Sequence, residues 1–381
     1  MSVLGGIDKR RLVVIGLIGA ASIALLVVLA GGSAALEAVA RANWAFLGLA
    51  VLIHYSSFAL RGHRWQRLLG ALGYPLPYLY TTGLLLAGWF ASALLPARAG
   101  DWLRVGVLRL DTGRHAPVPV PSSLSSIVLE RVLDIVAILV LGAAFGFLLL
   151  RDQLPSWLLA SYVVGIVLLL LFGTVLVLAP PLLHWLRGLW QHRYWQLTID
   201  FITHFVDGLR TLFRQPPTAI LVIVESIVIW LCDALVLWLV VLSLGAPLSL
   251  PAAAFVALTV DVLAAIPLTP GGVGQIDAAY AGLLALLALP ALNVGAIVLV
   301  VRFITYWSFL VFSGLVALAA GFGSLMSSAL TARTEGVETQ TSPVQAPSGG
   351  RHLTDDNASV LRPDAGEADY GAVGDACAPP V

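Results

Sequence analysis

Apolar residues run along this chain in long, nearly unbroken stretches instead of alternating with polar ones. Seven of them (12–30, 44–60, 124–150, 158–183, 219–244, 252–268 and 294–320) reach or approach the ~20 residues a helix needs to cross a hydrocarbon core. Two more, 79–95 and 276–289, are shorter or broken by Gly, Ser and Pro, as expected of helices that dip into a membrane without crossing it. The first stretch follows Lys9, Arg10 and Arg11 like a signal peptide. Its 19 residues exceed the usual ~7–15 of a signal core, which predicts a retained anchor. Residues 187–216 differ: Trp190, Tyr194, Leu197, Phe201, Phe205, Leu209 and Leu212 recur every three or four positions, away from Asp200, Asp207, Arg210 and Arg214. That period predicts an amphipathic helix lying in the cytoplasmic interface, as a linker between two halves or as a lipid-surface sensor.

Composition removes the soluble alternative. Hydrophobic residues make up 59% and charged residues 11%, with a mean hydropathy of +0.94, against roughly 45–50% and about 25% in soluble domains. Net zero charge hides an asymmetry, since residues 1–330 hold 18 basic against 13 acidic side chains and residues 331–381 hold 3 against 8. The segment 327–381, rich in Thr, Ser, Gly, Pro and Asp, is expected to be a disordered acidic tail, leaving 1–326 as the membrane domain. Two cysteines, Cys232 and Cys377, indicate neither a disulfide framework nor a thiolate metal site.

Arg and Lys in short loops set orientation. Lys9 to Arg11, then Arg61, Arg64 and Arg67, then Arg187, Arg193, Arg210 and Arg214 fall on one side, which places both termini in the cytoplasm of a plasma-membrane protein. Arg98, Arg104, Arg109 and Arg114 conflict with a full crossing by 79–95. A re-entrant hairpin turning near Pro96 resolves the conflict, and the same counting makes 252–289 a hairpin from the opposite face. The turns Pro96-Ala97-Arg98-Ala99-Gly100-Asp101 and Pro270-Gly271-Gly272-Val273-Gly274-Gln275 share Pro-x-x-x-Gly and a polar residue, with Arg131 and Arg302 at similar distances beyond. The expected fold is therefore all-α: about six full transmembrane helices and two re-entrant hairpins, related as an inverted repeat. In transporters, that plan brings broken helices together at the midplane.

Ionisable residues placed at membrane depth are the functional candidates. Glu130, Arg131 and Asp134 sit mid-span on adjoining helical faces, either as a structural ion-pair network or as a cation for a lipid phosphate with carboxylates that orient it. Arg302, beside Tyr306 and Trp307, needs a partner, for which Asp261 is the candidate. Glu225 and Asp233 are read as proton or cation sites or as partners of neighbouring helices, His54 as a satisfied interior histidine, and Arg61 to Trp65 as a juxtamembrane anchor. Gly142 to Gly146 matches a small-residue packing motif that is weak support for dimerisation.

No phosphate-binding loop, nucleophile elbow or zinc motif appears in the sequence. Neither catalytic residues, metal, cofactor nor nucleic acid is expected. Arg64-Trp65, Leu94 to Arg104 (with Arg98, Gly100, Asp101 and Arg104), Leu129 to Asp134, Pro267 to Gln275 and Arg302 with Tyr306-Trp307 together resemble the lysylphosphatidylglycerol synthase transmembrane family, also called flippase-like. In the multiple peptide resistance factors this region precedes an aminoacyltransferase domain; none is expected here, so lysyl-lipid synthesis is not carried over. The resemblance implies a lipid translocase or lipid-handling protein that binds an anionic headgroup, of a phospholipid, polyprenyl phosphate or hopanoid or glycolipid. The alternatives are a membrane-embedded transferase with Asp101, Glu130 or Asp134 as base, and a non-catalytic partner of a lipid-modifying enzyme. Membrane lipids are the expected partners, with a homodimer or such an enzyme as further ones.

Overall fold

The computed structural model describes Val28 and residues 32–94, 98–149, 155–189, 193–264 and 269–321. The first apolar stretch and the acidic tail lie outside these residues, as do 95–97 in the first expected turn and 265–268 just before the second. Every regular element among the described residues is helical. In order they are α1 (Ser33–Ala40), α2 (Trp44–Ala71), α3 (Tyr78–Leu94), α4 (Ala99–Leu110), α5 (Val120–Ala143, continued by a π turn Ala144–Leu149), α6 (Ser156–Leu189), α7 (Arg193–Phe213), α8 (Pro216–Ser243), α9 (Leu250–Ala264), α10 (Gln275–Leu286), α11 (Ala291–Arg302) and, after a π turn Phe303–Trp307, α12 (Ser308–Ala319).

Local sequence explains the ends. Asn43 opens α2 by accepting the Ala45 amide at 3.0 Å, and prolines in the first turns of α5 and α8 sit where no amide partner is needed. Both 28-residue helices, α2 and α8, stop in the same way. Gly73 and Gly245 take the left-handed conformation (φ 90° and 65°), and the amides of Tyr74 and Ala246 reach back to the carbonyls of Leu69 and Val241.

Four helical units, Trp44–Ala71, Ser156–Val175, Pro216–Ser243 and Ala291–Ala319, are long and apolar enough to cross a membrane. With α5, which has the length but carries three charges, they account for five of the six expected spans; the sixth is the undescribed 12–30. The arms α3, α4, α9 and α10 have 17, 12, 15 and 12 residues. At 1.5 Å per residue these are about 18–25 Å long, short of the ~30 Å core. Each pair packs as a helical hairpin.

The elements fall into two sets in the same order: α2, α3, α4, α5 and α8, α9, α10, α11–α12. The sets interlock by exchange, because the first hairpin packs on α12 and the second on α5, while α1 lies on α11 and α7 on α5. Helices α2 and α8 run antiparallel, joined by Asn43 to Ser243, Arg61 to Asp233 and Arg64 to Ser226. The sets are thus related by reversal, as an inverted repeat requires.

Two expectations change. The apolar stripe of α7 (Ile202, Phe205, Val206, Leu209 and Leu212) packs on Leu68, Leu129, Ala219 and Val222, so its amphipathicity is satisfied by the bundle and not by lipid alone. Trp190 and the side chains of Tyr194 and Leu197 lie outside the described residues. Gly142 and Gly146 meet Tyr162 and Phe255 of the same chain, which assigns that motif to internal packing. The apolar exterior for lipid is clearest on α6, where Val163, Val164, Val167, Leu168 and Leu171 are exposed.

The arms of the first hairpin touch at Gly88 and Gly100: a Cβ on Gly100 would stand 1.6 Å from the Gly88 carbonyl oxygen, whereas Gly48 faces open space. Gly100→Ala should therefore lower stability by about 2 kcal/mol or more, while Gly48→Ala should be neutral or stabilise slightly. Thermal unfolding of both variants in detergent checks this.

Candidate functional site

Among the described residues, the most deeply buried charges lie where α2, α4 and α5 meet. Arg64, Arg104 and Glu130 are fully buried and Asp134 nearly so. Arg104 donates to Glu130 at 2.7 Å, its guanidinium 3.8 Å from the centre of the Trp65 ring. Arg64 meets Asp134 at 2.7 Å and Glu130 at 3.9 Å and donates to the Ser226 hydroxyl at 2.9 Å. The Trp230 indole donates to Asp134 at 3.1 Å. Arg104 also reaches Asp101 at 3.5 Å, which ties this pair of cations and pair of carboxylates to the next layer of charge. Arg131, on the next face of α5, is 29% exposed and reaches Asp134 and Asp101 at 3.4 and 3.7 Å.

Sequence reading missed Arg61 and Arg64. Taken as a juxtamembrane anchor, they are buried inside α2, which continues to Ala71. The signal was present: Ser57, Arg61, Arg64 and Leu68 form one helical face, and all four are buried. Glu225 and Asp233 also find partners, His63 and Arg61.

In each repeat the second hairpin arm carries an aspartate at its third position, and the long helix that follows supplies the arginine. Asp101 of α4 faces Arg131, and Asp277 of α10 pairs with Arg302 at 2.7 Å. This corrects two expectations. The partner of Arg302 is Asp277, not Asp261, and the counterpart of Asp101 is Asp277, not Gln275. The second turn is longer than the first, which displaces the sequence match. Arg302 also donates to the Gly271 carbonyl at 3.2 Å, and Asp277 accepts the Gly274 amide at 2.8 Å, so one ion pair holds the whole turn. Gly271, Gly272 and Gly274, with φ of 61°, 65° and 81°, occupy backbone space that favours glycine. Gly271 further lies so close to Tyr306 that a Cβ would clash with its ring. Pro270 opens this turn, and Gln275 braces it by donating to the Leu263 carbonyl at 2.9 Å. Arg98, before α4, holds φ 52° without being glycine.

The two turns converge on a cavity of about 340 Å³ lined by Arg98, Asp101 and Arg131 from one repeat and by Gly271, Gly272 and Gln275 from the other. A second cavity, about 280 Å³, is lined by His54, Arg61, Asp233, Asp261 and Arg302. Trp89, Gly271, Ile276, Tyr306 and Phe309 line both. The structure thus brings Arg98, Asp101, Arg131 and the glycine turn together. Asp261 and Arg302 line the neighbouring chamber, and Arg104, Glu130 and Asp134 belong to the supporting network, where Gly100 sets the hairpin crossing. His54 contradicts its expected role: it is 6% exposed, and neither ring nitrogen has a hydrogen-bond partner among the described residues. No group of three acidic, histidine or cysteine side chains among the described residues is placed to hold a metal.

Residues 13–313 match the family described as the lysylphosphatidylglycerol synthase TM region. A UPF0104 membrane protein of Methanothermobacter thermautotrophicus is 26% identical over 74% of this chain and 85% of its own length. Glycosyltransferase AglD of Haloferax volcanii is 28% identical over 77% of this chain but only 52% of its own length, so the chain spans about half of that relative. A second UPF0104 protein of M. thermautotrophicus is 23% identical over 78% of this chain and 92% of its own. No solved structure matches significantly.

Arg104→Met strands Glu130 in the bundle and should cost about 3–5 kcal/mol, most of it recovered when Glu130→Gln is added. Equilibrium unfolding of the two single variants and the double variant measures the coupling. Removing either member of the second-turn pair, by Arg302→Gln or Asp277→Asn, should lower Tm by similar amounts, and the double variant should fall little further.

Proposed function

Since this chain belongs to the lysylphosphatidylglycerol synthase transmembrane family and is a multi-pass membrane protein, we propose that it is a lipid translocase that takes an anionic headgroup into the cavity between its hairpin turns. The observation that carries this reading is the convergence of both turns on one chamber whose charged lining, Arg98 and Arg131 against Asp101, is net positive. A phosphate there gains charge-assisted hydrogen bonds from guanidinium groups, and the amino ends of α4 and α10, which both begin beside the cavity, add partial positive charge. The acyl chains stay in lipid. Re-entrant hairpins from opposite faces fit arms too short to cross, and an inverted repeat gives the two orientations that alternating access needs.

In this reading the membrane is the plasma membrane, with both termini cytoplasmic. Arg61 and Arg64 no longer count toward orientation, but Lys9 to Arg11, Arg67, Arg210 and Arg214 still do. The transferase alternative is weakened because Asp101, Glu130 and Asp134, its candidate bases, each face an arginine. The relative named as a glycosyltransferase supports a second reading. If the shared half of that protein handles its lipid substrate, the present chain serves a separate lipid-modifying enzyme by presenting or moving the same class of lipid.

Reconstitution with fluorescent anionic phospholipids or polyprenyl phosphates, read by quenching of the outer leaflet, tests the proposal. Translocation should exceed that of protein-free vesicles and fall at least about tenfold in Arg131→Ala and Arg98→Ala, the loss of one charge-assisted contact each. No translocation, or unchanged rates in both variants, would sink the mechanism.

A further inference from the structure

We propose that the smaller cavity is a proton-binding site, with Asp261 as its carboxylate and His54 as its relay, and that it couples headgroup movement to proton movement. The coupling rests on the translocase reading above; the site does not.

The cations in this cavity are already matched one for one. Arg61 pairs with Asp233 at 2.6 Å, lying between Trp89 and Trp230, and Arg302 pairs with Asp277 at 2.7 Å. Asp261 is left over, its Oδ2 buried with no hydrogen-bond partner among the described residues. The titratable and charged groups that line its cavity or act on it are His54 and Arg61 from α2, Asp134 from α5, Tyr162 from α6, Asp233 from α8, Tyr280 from α10 and Arg302 from α11, with Asp277 reaching it only through its pair with Arg302. With Asp134 matched to Arg64, Asp233 to Arg61 and Asp277 to Arg302, an ionised Asp261 is one negative charge in excess, and an uncompensated charge inside the bundle is costly. One proton on Asp261 removes that cost.

His54 points to the same ligand independently. Its imidazole is more than nine-tenths buried, edge-on to Tyr55 and Phe58 at 5.3 and 5.0 Å, and both nitrogens lack partners in a cavity with room for water. A neutral imidazole accepts a proton at one nitrogen and releases one from the other. It emerges as the opposite tautomer and resets through water, with no net change in charge. The step on Asp261 is equally simple: one H⁺ adds to a carboxylate oxygen and the net charge rises by one. A hard metal cation would need about six oxygen ligands instead.

Coupling follows from the chain path. Asp261 lies on α9, the first arm of the second hairpin, and that hairpin's turn, through Gly271 and Ile276, lines both cavities. Charge on Asp261 therefore acts on the element that lines the headgroup chamber.

Two measurements on the full chain test the two parts. In detergent, infrared difference spectra between about pH 5 and about pH 9 should show a carboxylic-acid carbonyl band that disappears in Asp261→Asn; absence of the band, or its persistence in the variant, overturns the site. In sealed vesicles with fluorescent anionic phospholipid, a pH gradient should shift the steady-state lipid ratio between leaflets by up to about tenfold per pH unit for one proton per cycle. Asp261→Asn should abolish the shift, and His54→Gln should slow its approach. A lipid ratio blind to the gradient, or a shift that survives in Asp261→Asn, overturns the coupling with translocation intact. No translocation at all, with the infrared band present, overturns the translocase reading and the coupling built on it.

Discussion

Burying ionised groups without leaving any of them alone is the constraint on which this structure depends. Glu130 in a bilayer would be untenable by itself, and Arg104 and Arg64, carried by a hairpin arm and a long helix, make it tolerable. That requirement dictates much of the packing. The hairpin must fold back far enough to deliver Arg104, so Gly88 and Gly100 must let its two arms touch, and α2 must run on past Leu60 to deliver Arg64 to Asp134. An ion-pair network of this kind is weak as a source of net stability, because desolvation offsets most of the attraction. It is strong as a specification of which helix sits where, since any misplacement leaves a naked charge.

The same logic repeats, reversed, in the second half. Arg302 gathers Asp277 and the Gly271 carbonyl, so the glycine turn is shaped by its neighbour as much as by its own backbone freedom. Tyr306, raised on a π turn, then joins the halves: its hydroxyl donates to the Ala93 carbonyl at 3.4 Å and its ring covers Gly271 and Arg302. Widened helical turns of this kind often mark functional positions, and here the turn sits on the wall common to both chambers.

Membrane residence, the helical class and both broken hairpins were legible in the sequence, because long apolar runs and misplaced arginines leave few alternatives. The repeat was legible in outline but out of register. The match at Pro96 and Pro270 paired Asp101 with Gln275, and a better one lay earlier, where Leu72-Gly73-x-Pro75-Leu76 and Leu244-Gly245-x-Pro247-Leu248 end equivalent helices five residues before equivalent arms. Within α5 the pair of Arg131 with Asp134 was legible from its spacing, but pairing between helices was not. Composition counts a buried Arg64 and a surface arginine alike, and only the register of α2 against α5 and α8 tells them apart. His54 failed for a related reason: whether an interior histidine is satisfied depends on side chains more than a hundred residues away.

Matched in plan, the two halves differ in tension. Arg302 grips Asp277 at 2.7 Å out of solvent, whereas Arg131 stands 3.7 Å from Asp101 and is partly open. Were the halves to exchange conformations, one grip would loosen as its twin tightened. A duplicated, reversed architecture of this sort behaves as a balance whose arms are weighted alike, tipped by whatever small charge is set down on one side.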